Sequence, residues 1–167
     1  SKKIMDMGCG SGIVSIIAAS KGAKCLALDI NPIAVRSVKE TAELNKLSDR
    51  ITVLESDLFD SIHSPMESTG EGLFDIIFFN PPYYKGIPKN NFERAFKAGP
   101  DLEVIDSFLS GAGKFPLPGG IIYFIVSSDM DLGDLENRIK TSGFGFEILK
   151  TIEKLLETFY IIKAVII

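Results

Sequence analysis

One histidine, His63, and two cysteines, Cys9 and Cys25, are all the soft metal ligands in 167 residues. That is too few to assemble a zinc cluster within one chain, so no structural metal is expected. The same scarcity excludes a disulfide framework. Cys9 falls in a glycine-rich turn and Cys25 in an apolar run, and both are expected to stay reduced. Long apolar runs are also missing: the longest uninterrupted one, residues 121–126, falls far short of a membrane span. No basic region leading into an apolar segment and a small-residue cleavage site is visible at the start. A soluble, cytoplasmic protein with no membrane partner is the expectation. Basic charge is not in excess either, with 18 Lys and Arg against 22 Asp and Glu, a net charge of −4 and an isoelectric point of about 5.1. No general basic surface is available for phosphate backbones, which weighs modestly against nucleic acid. The weight is modest because Lys85, Lys89, Arg94 and Lys97 lie close together in sequence.

What is present is enough apolar material, 46% of the residues, for one domain with a sizeable core and too little for two, so a single domain over residues 1–167 is expected. Nearly continuous apolar runs at residues 3–7, 24–30, 50–55, 74–79 and 121–127 read as strands buried on both faces. Residues 13–19, 32–47 and 131–142 supply helices between and after them. Asn31 and Pro32 are suited to the N-cap and first turn of the second helix, and Gly143 to the end of the last. Helical spacing also runs through residues 92–113, with Val104, Ile105, Phe108 and Leu109 on one face. Strands buried on both faces and separated by helices give an α/β, doubly wound, mostly parallel sheet. Residues 146–150 and 159–167 have no helical pattern between them and are expected to close the sheet as an antiparallel hairpin, for seven strands in all. Residues 60–72 read as a solvent-exposed loop, the segment most prone to disorder.

The turn after the first strand reads Asp6-Met7-Gly8-Cys9-Gly10-Ser11-Gly12. Glycines there let a ligand approach the backbone at the positive end of the first helix. A dinucleotide fingerprint needs glycine or alanine at position 13, where this chain has Ile13, so the phosphate-cradling reading is weakened. A ligand with a ribose and a cationic centre fits better. Asp29, at the end of the second strand, can accept both ribose hydroxyls, and Ile30 can pack on the base. Asp57, after the third strand, can accept from an adenine amine, with Leu58 beside it. Taken singly, a glycine turn or an aspartate cap is unremarkable. Their order after three successive strand ends, where open α/β sheets bind ligands, favours a nucleoside site.

Directly after the fourth strand comes Asn80-Pro81-Pro82-Tyr83. The two prolines fix the backbone in an extended form. A planar amide or amine nitrogen is a poor nucleophile because its lone pair is delocalised. Attack on a sulfonium methyl requires its two N–H bonds to be held by two acceptors, and the Asn80 side-chain oxygen and the Pro81 carbonyl are candidates. Tyr83 can stack on the planar group. Asparagine-proline also ends many strands as a plain turn, but here it follows one strand after the presumed adenine site.

These residues resemble the class I S-adenosylmethionine-dependent methyltransferases: Asp6 to Gly12 matches their first-strand motif without gaps. Asn80 to Tyr83 is similar to a subgroup acting on release-factor glutamine amides (the HemK type), on adenine amines, or on guanine amines in ribosomal RNA. Residues 92–106 look like the stretch after the motif in release-factor glutamine methyltransferases. The resemblance implies a seven-stranded Rossmann-like methyltransferase fold, S-adenosylmethionine as cofactor, and Asp6, Gly8, Cys9, Gly10, Ser11, Gly12, Asp29, Ile30, Asp57, Leu58 and Asn80 around it. It implies Asn80, Pro81 and Tyr83 in catalysis, and Asn80, Pro81, Pro82 and Tyr83 holding the substrate. A peptide chain release factor is the expected substrate, with an RNA or DNA exocyclic amine as the alternative and a non-catalytic binding module as the second. An activator subunit is compatible with this reading. Family members carry a helical domain or an extra segment before the first strand, whereas five residues precede Asp6, so an N-terminal segment is expected to be missing.

Overall fold

The computed structural model describes residues 1–62 and 73–167. Most of the loop expected at residues 60–72, with His63, lies outside the described residues. Seven strands, β1 Lys3–Met7, β2 Lys24–Asp29, β3 Ile51–Glu55, β4 Phe74–Phe79, β5 Pro116–Ser127, β6 Phe144–Glu153 and β7 Thr158–Ile166, form one sheet in the order β3-β2-β1-β4-β5-β7-β6. Pairing is parallel from β3 through β2 and β1 to β4. It is antiparallel between β5, β7 and β6. The helices are α1 Ile13–Ser20, α2 Pro32–Leu44, α3 Asn91–Arg94, α4 Glu103–Ala112 and α5 Leu132–Thr141. The expected doubly wound, mostly parallel sheet with a terminal antiparallel hairpin is the architecture found. Among the described residues no helix is long and apolar enough to cross a membrane.

The chain divides into two compact units, residues 1–79 with 114–120, and residues 80–113 with 121–167. In the first, β1 is paired on both edges and Met5, Met7, Leu26 and Leu28 are fully buried. One face of these strands packs with α1 and α2 through Ala19, Cys25, Ala27, Val35, Val38, Ala42 and Val53. The small residues let the helices lie close to the sheet. Helix α2 starts where its sequence says it should: the Asn31 side chain accepts from the Ile33 N–H, 3.0 Å, and Pro32 follows in the first turn. Gly120 is required by packing, because a Cβ there would stand 2.9 Å from the Phe74 carbonyl oxygen and 2.8 Å from that of Leu117.

In the second unit, α4 and α5 bury Ile105, Phe108, Leu109, Leu135 and Ile139. Phe108 meets Phe124 of β5 edge to face at 5.6 Å. Helix α5 is capped by Asp131, which accepts from the N–H groups of Gly133 and Asp134. Just past it Gly143 adopts φ +86. Arg138 joins Asp134, Asp106 and Asp101, and hydrogen bonding to Asp106 is the main reason its pKa is raised.

Two expectations are corrected. The stretch 92–113 is not continuously helical: α3 and α4 are separated by residues 95–102. Gly99 at φ +94 and Leu102 at φ +63 leave the helical region, and Pro100 has no N–H to give. The freed backbone bonds elsewhere, with Tyr84 N–H to Phe96 O, Ala98 N–H to Tyr84 O and Gly86 N–H to Gly99 O, each 2.9 Å. Strands β5 and β6 are also longer than expected, and β7 is shifted by one residue at the expected length. β5 begins five residues early, through Pro116 and Pro118, and β6 runs from Phe144 to Glu153, so that the turn to β7 is residues 154–157, with a register shift between Ile148 and Lys150.

Candidate active site

The glycine turn leaves β1 through Gly8, Gly10 and Gly12 at φ +64, +51 and +75, conformations that side chains with a Cβ disfavour. The three glycines differ in why they are needed. A Cβ on Gly12 would lie 2.7 and 2.9 Å from the two methyls of Val38, so the close approach of α1 to α2 demands glycine there. Around Gly8 and Gly10 nothing comes nearer than 3.9 and 4.0 Å, which leaves their outer surface open to a ligand. Gly8, Gly10 and Ser11 are exposed, while Cys9 turns inward and is buried.

Asp6 is buried, and its Oδ2 accepts from both the Ser15 N–H, 3.1 Å, and the Ser15 hydroxyl, 2.7 Å. Burial raises its pKa, and the two Ser15 bonds pull the other way. Asp6 therefore ties the strand to the first turn of α1, bracketing the glycines from beneath. Asp29 is half-buried at the end of β2. Its Oδ2 accepts from the Gly10 N–H and its Oδ1 from the Asn31 N–H, both 2.8 Å. Each carboxylate oxygen has more than one acceptor position, so this aspartate can hold the turn and still accept from a diol.

At the exit of β3, Asp57 is exposed and Leu58 adopts φ +46. The buried Ser56 shapes this bend: its hydroxyl donates to Leu58 O, 2.7 Å, and accepts from the Ser61 N–H, 3.0 Å. The first unit thus brings Asp6, the glycine turn, Asp29 and Ile30 together through hydrogen bonds and chain neighbours, and carries Asp57 and Leu58 on the next strand end, where Ser56 N–H bonds Asp29 O, 2.9 Å. Burial raises both thiols, Cys25 to about 11 and Cys9 further; both are free cysteines.

Residues 80–83 open the second unit, directly after β4, whose last residue Phe79 pairs in register with Met7. Asn80 is exposed, Pro81 buried, Pro82 and Tyr83 half-buried. The Tyr83 and Tyr84 rings lie 4.9 Å apart, tilted by 55°. The acids around them were not foreseen from the sequence. Partial burial and the charges of Glu157 and Asp129 raise the Tyr83 phenol, and a hydrogen bond with Asp129 is the main cause of the rise at Tyr84. Asp129 lies two residues past the end of β5 as Asp57 lies two past β3, a placement that could have been read in advance. Glu157 could not, because only the hairpin brings it here. Two cations of the basic cluster near the motif are answered by acids: Lys85 pairs with Asp101 at 3.6 Å and Lys97 with Glu93 at 2.8 Å.

A sequence profile of the ribosomal protein L11 methyltransferases (PrmA) matches residues 1–80. A protein of Methanocaldococcus jannaschii provisionally assigned as a protein N5-glutamine methyltransferase is 34% identical over 98% of this chain and 81% of its own length. The tRNA1(Val) (adenine(37)-N6)-methyltransferase of Shewanella loihica is 32% identical over 72% of this chain. The present chain spans half of that relative's length. Among solved structures, the E. cuniculi Mtq2–Trm112 complex, responsible for methylation of the eRF1 translation termination factor, is 26% identical with a TM-score of 0.72, covering 99% of this chain and 85% of that one.

Proposed function

This chain belongs to the S-adenosylmethionine-dependent methyltransferases, and we propose that the nitrogen it methylates is the side-chain amide of a glutamine in a peptide chain release factor. The observation that carries the choice of substrate is the pair of acids, Asp129 and Glu157, acting on Tyr83 of the motif. A polyphosphate backbone entering beside Tyr83 would meet negative charge, whereas a protein loop brings none of its own. The similarity to the glutamine methyltransferase assignment and to the Mtq2 chain supports the same reading.

The residues of the first unit fit S-adenosylmethionine. The open faces of Gly8 and Gly10 admit a ligand to the backbone, and in this reading Asp29, anchored by the Gly10 and Asn31 N–H groups, accepts from the ribose hydroxyls. Ile30 and Leu58 supply apolar surface for the adenine, and Asp57 an acceptor for its amine. Gly12 and Asp6 fix the shape of the turn, and Cys9 and Ser11 complete it. When bound, the cofactor supplies a methyl group activated by a sulfonium.

Asn80 and Pro81 do the rest through their oxygens. Each accepts one N–H of the glutamine amide, which aligns the nitrogen and stabilises the positive charge that develops on it. Pro82 keeps the segment extended, and Tyr83 stacks on the amide plane. The surplus proton is acidic once the nitrogen is methylated and leaves without a dedicated base, in keeping with a motif that contains no histidine. The reading includes cytoplasmic action, one functional domain over the whole chain, and an activator subunit, in line with the Mtq2 chain having been solved in complex with Trm112.

Radiolabelled methyl transfer tests this. Purified enzyme, alone and co-expressed with a Trm112-like subunit, is offered a release factor, transfer RNA, ribosomal RNA and DNA. Label in the release factor is expected. Label in nucleic acid with none in the release factor would replace this reading by an exocyclic-amine methyltransferase, for which the same four residues would grip a flipped base.

A further inference from the structure

The turn between β6 and β7 carries two leucines, Leu155 and Leu156, that are 98% and 95% exposed, the highest values among the large apolar side chains described. Tight turns favour glycine, asparagine, aspartate and serine for conformational reasons, and neither leucine contributes to the core. The turn is nonetheless well tied. Lys154 N–H bonds Glu157 O at 2.9 Å, Ser128 N–H bonds Thr158 O at 2.7 Å, and Thr158 N–H bonds the Ser128 hydroxyl at 3.1 Å. These bonds fix the turn to the end of β5, one residue from Asp129. The next residue after the leucines, Glu157, acts electrostatically on both Tyr83 and Tyr84. Its Oε1 is shut off from solvent and has no hydrogen-bond partner. A shielded carboxylate oxygen without a donor is costly, so a turn of this side chain that opens the oxygen to an N–H of a bound molecule removes that cost.

We propose that this hairpin tip is a docking element for the acceptor protein: Leu155 and Leu156 enter an apolar surface on it, and Glu157 accepts an N–H donor from the same chain near the methylated glutamine. The proposal rests on the reading that the acceptor is a protein. Continuity decides the occupant, because the turn is bonded to Ser128 beside Asp129 and its Glu157 acts on Tyr83, so a protein whose amide reaches Tyr83 has the turn that carries the leucines as a neighbour. Charge decides it further: Lys154 and Glu157 flank the leucines and leave the turn no cationic excess, while Glu157 and Asp129 together set negative charge on Tyr83, which would repel both a nucleic-acid backbone and an anionic lipid surface.

The test is steady-state methylation of a purified release factor by the full chain and by the Leu155→Ser/Leu156→Ser double variant. Circular dichroism and calorimetric S-adenosylmethionine binding verify that the variant is folded. The expected result is a rise of about tenfold or more in KM for the release factor, equivalent to about 1.4 kcal/mol, with kcat and cofactor affinity unchanged. Glu157→Ala is expected to raise the same KM, with Glu157→Gln, which keeps an acceptor oxygen, closer to wild type. Wild type that methylates the factor beside a double variant with unchanged KM overturns the docking role and leaves the glutamine reading intact. Wild type that methylates only RNA overturns that reading and, with it, the protein occupant. A double variant that converts a dimer to a monomer by light scattering assigns the leucines to a second copy and overturns the proposal.

Discussion

Replacing Gly12 by alanine separates the two jobs of the glycine turn. At φ +75 a residue with a Cβ carries a backbone cost of about 1–2 kcal/mol. The new methyl would also sit 2.7 and 2.9 Å from the Val38 methyls, and Val38 is fully buried. Forcing such a side chain aside costs about 1–3 kcal/mol. The sum is about 2–5 kcal/mol, and with roughly 2–4 °C lost per kcal/mol in a chain of this size, the melting temperature should fall on the order of 10 °C. Gly10→Ala is the control: φ is +51 but no atom lies nearer than 4.0 Å, so only the backbone cost of about 1–2 kcal/mol applies, while the methyl projects into the space assigned to the cofactor. Urea unfolding followed by far-UV circular dichroism, beside calorimetric titration of S-adenosylmethionine, reads both effects. Adding Val38→Ala to Gly12→Ala should recover part of the loss, giving a coupling of about 1 kcal/mol in the double-mutant cycle. A Gly12→Ala protein as stable as wild type, or a cycle with no coupling, would refute the packing argument. A Gly10→Ala protein with undiminished cofactor affinity would refute the open-face argument.

Asn80→Ala should lower kcat about a hundredfold with cofactor affinity little changed, as loss of one aimed acceptor costs roughly 3 kcal/mol of barrier; Asp29→Ala should instead chiefly weaken S-adenosylmethionine binding, measured by calorimetry, and a matched pattern in the two variants would contradict the division of roles. Because burial pushes Cys25 up to about 11 and Cys9 higher still, native protein at neutral pH should react with iodoacetamide far more slowly than urea-unfolded protein, and fast native labelling in a mass spectrum would count against the buried thiols. Asp6 has a folded pKa raised above its unfolded value, so its contribution to stability is present below the unfolded pKa and is lost as pH rises through the folded one. Wild type should therefore gain stability relative to Asp6→Asn as pH falls from neutral toward the carboxylate range, in urea titrations across that window; the opposite slope would refute the burial argument.

The fold was legible where local chemistry and tertiary packing agree. Strands buried on both faces announce themselves as unbroken apolar runs, as residues 25–28 do, and Asn31 with Pro32 marks a helix start that the backbone bonds then use. Reading failed where backbone conformation overrides spacing. Residues 92–113 keep a helical rhythm, yet Gly99 and Leu102 take positive φ, and Lys97 and Gly99 pair with Tyr84 and Gly86. The early start of β5 was hidden because Pro116 and Pro118 argue against a strand.

For the site, the residues that follow a strand end were accessible, because chain order alone places Gly8, Asp29, Asp57 and Asn80 there. Ser15, which holds Asp6, and Ser56, which bends the chain at Leu58, carry no pattern of their own and emerge only from hydrogen bonds. Glu157 depends on the β5–β7 and β6–β7 registers, which no local window contains.

The central claim is most directly tested by mass spectrometry of a release factor incubated with the enzyme and S-adenosylmethionine. The account predicts one added methyl group on the side-chain nitrogen of a single glutamine, absent with Asn80→Ala. An unmodified release factor beside methylated adenine or guanine in RNA from the same incubation would contradict it.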